Sequence, residues 1–305
     1  MSGGRADSGR TNDERERALA IIFSPDDPTR QLLLGSRSEG PRWRALAHEF
    51  RTAAEIGVAS LVPHGSASHR RLSHLRRVGG RSRNYDFDGV FVDDQGEFEE
   101  FKIELKRGSS IYDQPQFAQY YAKAGELIAS GVIPYAEFFY DNYLLSVTDM
   151  VGLERPLRDE YLENCFRTDE EVMLHTARLK ALDLPGSATQ AALQRIAFRS
   201  IDAYLEFLES DPMSIDVATL QRRLNEQNDK VFISWDAATK TFSSEIFSPG
   251  AMTIVGHPTM KCRPSGERSA VVVRNAAGHA IEALLRWKNR NCCLGPAWQV
   301  SLREP

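Results

Sequence analysis

An α/β fold, with a mixed central sheet flanked by helices, is what the sequence predicts, on three observations. Two strand-like runs, Phe87–Val92 and Phe98–Leu105, flank an Asp/Gly-containing connection, the pattern of a β-hairpin. Apolar stripes at helical spacing run through 41–56 and 190–208. From Lys230 onward short β segments alternate with turn-rich pieces. With 305 residues, 42% hydrophobic and 26% charged, the chain has material for one large domain or two of ordinary size.

In chain order, residues 1–17 are Gly, Ser, Arg and Asp/Glu rich and read as a disordered tail. Pro41 to Ile56 reads as a helix, with Leu46, Phe50, Ala53 and Ala54 on one face and Gly57 as its stop. Val58 to Val62 reads as a strand. The segment 64–84 holds six arginines and no acid, and its low apolar content predicts a mobile loop. After the hairpin, Pro115 to Ala129 reads as a helix striped by Phe117, Tyr120, Tyr121, Ala124, Leu127 and Ile128. The aromatic-rich Tyr135 to Val147 reads as a buried strand. Helices are expected at 157–182, 190–208 and 216–224, and strands near 231–235, 241–247, 252–255, 270–274, 281–287 and 297–302. The division this suggests is a tail at 1–17, a core at 18–150, a helical region at 151–229 and a β-rich region at 230–305.

The hairpin carries the chemistry. Side chains alternate along a strand, so Lys102, Glu104 and Lys106 share one face, and Phe101, Ile103 and Leu105 share the core face. With the turn centred near Gly96, Asp88 falls beside Glu104. Two neighbouring carboxylates repel unless a cation lies between them, and hard oxygen ligands suit Mg2+ (Mn2+ is the alternative) better than zinc. Lys106 is placed to act on a metal-bound water or on a charged transition state.

Asp88, a gap of fifteen residues, then Glu104-Leu105-Lys106 resembles the active-site pattern of the PD-(D/E)XK nuclease superfamily. Gln116-Phe117-Ala118-Gln119-Tyr120 is similar to the Q-x-x-x-Y helix element of its RecB-like and Cas4-like branch. Phe87 stands where the motif has proline. The resemblance spans roughly residues 42–147 and implies a restriction-endonuclease-like sheet, here with a helical insertion and a C-terminal antiparallel β unit. It also implies Mg2+-dependent cleavage of DNA, with Asp88 and Glu104 as metal ligands. The backbone carbonyl of Leu105 is implied as a further ligand, and Glu49 (Glu55 in reserve) as an acid from the preceding helix. Lys106 is implied to act on the water, Gln116 to orient Lys106 or a phosphate, and Tyr120 to steady the helix. The rival reading is a non-catalytic nucleic-acid-binding or assembly module on the same fold.

A net charge of −4 lends no general support to DNA binding, so the argument is local. Arg70, Arg71, Arg76, Arg77, Arg81 and Arg83 are expected to contact phosphates, and Lys288, in the cluster Arg286–Arg290, is a second candidate contact. A homodimer is an open option. No phosphate loop or dinucleotide fingerprint occurs, so no nucleotide cofactor is expected. The polar start, the lack of a long apolar run and the four cysteines without a C-x-x-C predict an intracellular protein with no membrane span. A zinc site among His257, Cys262, His279, Cys292 and Cys293 is a subordinate reading, because their spacing is irregular.

Overall fold

The computed structural model describes residues 4–62, 69–78, 85–108, 118–121, 126–165, 188–247, 252–287 and 296–303. The chain forms two units, Met1–Gln114 with Glu226–Pro249 and Pro115–Asn225 with Gly250–Pro305. Both are discontinuous in sequence, which differs from the serial division expected.

The first unit is a mixed five-stranded sheet with helices against one face. Its elements are α1 (Gly4–Ile22), α2 (Thr29–Gly35), α3 (Gly40–Leu61), β1 (Arg71–Arg77), β2 (Phe87–Val92), β3 (Phe98–Arg107), β5 (Lys230–Asp236) and β6 (Thr241–Glu245). The strand order is β1-β2-β3-β5-β6. Only the β3–β5 pair is parallel; its neighbours are antiparallel. A parallel pair needs a long crossover, and here the first segment of the second unit, Pro115–Asn225, lies in sequence between the two strands.

One sheet face carries Leu72, Leu75, Phe87, Phe91, Ile103, Leu105, Val231, Ile233, Trp235 and Phe242, buried with Leu46, Phe50, Ala53, Ala54 and Val58 of α3 and Leu19, Ile22 and Phe23 of the N-terminal segment. Phe50 is central, with ring contacts to Phe23, Phe87 and Phe242 at 6.0, 6.1 and 5.5 Å. The opposite face carries the alternate residues of β2, β3 and β5, among them Asp88, Lys102, Glu104, Lys106, Lys230 and Ser234.

Three expectations about this unit are corrected. Residues 4–17 belong to α1, and Arg15 is buried there with its guanidinium 5.1 Å from the ring of Trp235. Helix α3 runs through Gly57 and replaces the strand expected at 58–62. Gly57 is a place of close approach: a Cβ there would lie 2.3 Å from Cγ1 of Val231. In the Arg-rich segment, 71–77 form an edge strand whose Leu72 and Leu75 are buried; 79–84 lie outside the described residues. Its apolar alternation is short, and pairing with β2 supplies the stability it lacks alone.

The second unit holds an antiparallel sheet of order β4-β10-β9-β8-β7. The strands are β4 (Ala118–Tyr121), β7 (Ile254–Cys262), β8 (Arg268–Asn275), β9 (Ala280–Trp287) and β10 (Pro296–Arg303). Its helices are α4 (Tyr135–Phe139), α5 (Leu145–Met150), α6 (Arg158–Asn164), α7 (Ala188–Glu209) and α8 (Val217–Asn225), with a wide π turn at Tyr140–Leu144 joining α4 to α5. The strand expected at 135–147 is therefore helical. Its aromatics recur at helical spacing, with Phe139 and Tyr143 stacked at 6.1 Å, and density alone disguised the period. The C-terminal strands divide: β5 and β6 complete the mixed sheet, and β7 to β10 build the antiparallel one.

Candidate functional site at the end of the mixed sheet

The hairpin register decides which carboxylates meet. Val92 pairs with Phe98, Asp88 with Lys102 and Phe87 with Ile103, so the turn centres on Gln95. Asp93 fixes it there, its Oδ1 accepting the backbone N–H of Gln95 and of Glu97 at 2.8 and 2.9 Å. Centring on Gly96 had set Asp88 opposite Glu104; one residue in the turn is two in the register. Continued past the strand end, this register sets Asp86 opposite Glu104. The backbone N–H of Asp86 donates to the Ile103 carbonyl at 3.0 Å, and its Oδ2 accepts the N–H of Leu105 at 2.8 Å.

The charges at this strand end are closely coupled. Lys106 donates to Oε1 of Glu104, and both side chains are nearly buried, 14% and 12% exposed. Oε2 of Glu104 is buried and has no hydrogen-bond partner among the described residues. Burial pushes the Asp86 carboxyl up to about 7, reinforced by the charges of Glu104 and Glu16; the Leu105 N–H and Lys106 pull the other way. Glu16, on α1, is also raised, by burial first, although its bond from Arg77 opposes this. Burial alone would lower Lys106, but Glu104, Asp86 and Glu16 outweigh it and the ammonium is held above its ordinary value. One strand over, Lys230 is fully buried, donates to Oε1 of Gln227 at 2.9 Å, and is lowered to about 8 by burial, against the pull of Glu104.

Asp88 has a different setting. It is buried, and Oδ2 accepts both Nε and Nη2 of Arg76, at 3.1 and 2.5 Å. The same Nη2 lies 3.2 Å from Glu100. Of the other arginines expected to reach phosphate, Arg70 bonds Glu99 at 2.9 Å, and Arg77 bonds Glu16 at 3.0 Å and also Asp13. Arg71 is exposed; Arg81, Arg83 and Lys288 lie outside the described residues. Edge-strand arginines beside an acidic hairpin neutralise protein carboxylates, which composition alone did not reveal.

Glu49 is half-buried on α3, while Glu55 accepts the backbone N–H of Leu72 at 3.0 Å and so ties α3 to the edge strand. Gln116 and Lys123 lie outside the described residues, and Gln119 and Tyr120 fall on β4 of the second unit. The Q-x-x-x-Y element therefore ends in a strand paired with β10, in place of the expected helix. Trp287 is buried, 4.6 Å from the ring of Phe139, so it belongs to a core. Of the zinc candidates, His257 and Cys262 are exposed on β7, His279 pairs with Asn275, and Cys292 and Cys293 lie outside the described residues.

Sequence reasoning missed Asp86, Glu16 and Lys230. Asp86 was visible as the first acid of Tyr85-Asp86-Phe87-Asp88, and only the turn centre separated it from Asp88. Among the described residues, no group of three or more His, Cys, Asp or Glu side chains is arranged to hold a metal ion. No helix there is long and apolar enough to cross a membrane. No protein-family model and no curated protein matches the chain.

Proposed function

We propose that this chain hydrolyses DNA phosphodiester bonds with a divalent cation held by Glu104 and Asp86. The observation that carries the reading is the buried Oε2 of Glu104, unpartnered among the described residues, beside Lys106 and a second carboxyl whose ionisation the site opposes. Such a donor set fits a hard cation, which would relieve the repulsion between the carboxylates. Asp86 takes the place that the hairpin reading assigned to Asp88. The order of elements adds support: a helix, three antiparallel strands and then a strand parallel to the third resemble the restriction-endonuclease-like core.

A bound Mg2+ or Mn2+ supplies Lewis acidity and a more acidic water. Lys106, held above its ordinary pKa, stays an ammonium at neutral pH and stabilises negative charge developing on the phosphate, rather than acting as a base. Glu104 aims that ammonium through its Oε1, keeping Oε2 for the cation. Exposed Arg71 on the edge strand is suited to phosphate contact.

A non-catalytic nucleic-acid-binding module is the second reading. Its support is that Arg76 already neutralises Asp88 and Lys106 already bonds Glu104. Incubation with closed-circular and linear DNA, with and without Mg2+, separates the two. Cleavage by the parent and its loss by at least about 100-fold in Lys106→Ala are expected, the scale of removing one charge-stabilising donor. Equal cleavage by variant and parent sinks the assignment of Lys106.

A further inference from the structure

Among the described residues, the mixed sheet leaves two buried polar atoms unpaired on the same face of neighbouring strands. Oε2 of Glu104 on β3 is one, and Oγ of Ser234 on β5 is the other. Ser234 is 1% exposed. The parallel register sets Ser234 beside Lys106 and Phe232 beside Glu104, so the hydroxyl lies one diagonal step from the carboxylate. Both side chains point away from the helix-covered face, since their neighbours Ile103, Leu105, Ile233 and Trp235 fill that core. A buried hydroxyl without a partner is costly and uncommon, and one next to a buried carboxylate oxygen in the same state calls for a shared guest. That guest must accept a carboxylate and a neutral hydroxyl oxygen together. A hard divalent cation does so, and two carboxylates alone leave it short of protein oxygen ligands.

We propose that Ser234 is a third ligand of the cation at Glu104 and Asp86, an assignment that rests on the metal-dependent reading above. It makes β5, which follows the segment Pro115–Asn225 of the second unit in sequence, part of the site. The test is thermal melting of the full chain in a Mn2+ titration, for the parent and for Ser234→Ala, Ser234→Thr and Glu104→Gln. The parent is expected to melt higher with Mn2+, because a ligand that binds only the native state stabilises it by mass action. Ser234→Ala should melt no lower than the parent without metal, since the lost hydroxyl has no partner among the described residues. It should need about tenfold more Mn2+ for half the shift, a loss typical of residues that support a metal. Ser234→Thr keeps the hydroxyl on a strand-favouring residue and should stay close to the parent, while Glu104→Gln should lose the response.

A Ser234→Ala variant that melts lower without metal and shows the parent's Mn2+ dependence makes the hydroxyl structural and overturns the assignment. An unchanged Mn2+ midpoint overturns it as well and leaves the Glu104 site standing. A parent with no Mn2+ response, or a Glu104→Gln variant that keeps it, removes the metal reading and the Ser234 assignment with it.

Discussion

Replacing Asp86 by Asn should stabilise the protein at neutral and alkaline pH and leave it unchanged in acid. In the folded chain the Asp86 carboxyl keeps its proton up to about pH 7, against 3.8 for the free group. Between these values the native state binds a proton that the unfolded chain has released. Stability therefore falls as pH rises through that window, and the whole penalty is present above it. At about 1.4 kcal/mol for each tenfold change, the ceiling is about 4 kcal/mol. Asp86 keeps some solvent contact, so about 2 kcal/mol is the expected gain. Asn carries no charge, and its amide oxygen can still accept the Leu105 N–H that Oδ2 now accepts at 2.8 Å. In metal-free urea denaturation the midpoint of Asp86→Asn should exceed the parent's by about 1 M near pH 8. Near pH 4 the two should coincide. A variant less stable than the parent at pH 8, or shifted equally at both pH values, refutes the idea that this carboxyl is held against its ionisation.

Gly57→Ala should destabilise the first unit by about 1–2 kcal/mol, because overpacking against Val231 outweighs the better helix propensity of alanine; a gain in thermal stability would show that α3 can retreat from the sheet. In DNA-binding titrations across a salt series, with Ca2+ in place of Mg2+, Arg71→Ala should reduce the slope of log K against log salt by about one. Arg76→Ala should change it much less, since its guanidinium already bonds Asp88 and Glu100; equal slopes for the two variants would show that the internal ion pairs open on binding.

By itself the sequence determined what local chemistry determines. The period-two alternation of Phe98 to Leu105 set a strand with charged and apolar faces, and the apolar stripe of α3 set a helix with a buried side. Glu104 and Lys106 emerged together because two residues on one strand share a face whatever the strand pairs with. Partnership across elements needed the tertiary structure. Asp86 opposes Glu104 because Asp93 centres the turn one residue earlier than composition suggested. Glu16 joins the cluster because α1 is a helix carrying Leu19 and Ile22 into the core, although its first turns are polar enough to read as a tail. Residues 118–121 form a strand because β10 is there to pair with them. Ser234 reaches Lys106 only through a parallel pairing between strands more than a hundred residues apart in sequence. Periodicity reports which side of an element is buried; register and long-range pairing decide which charges must share that space.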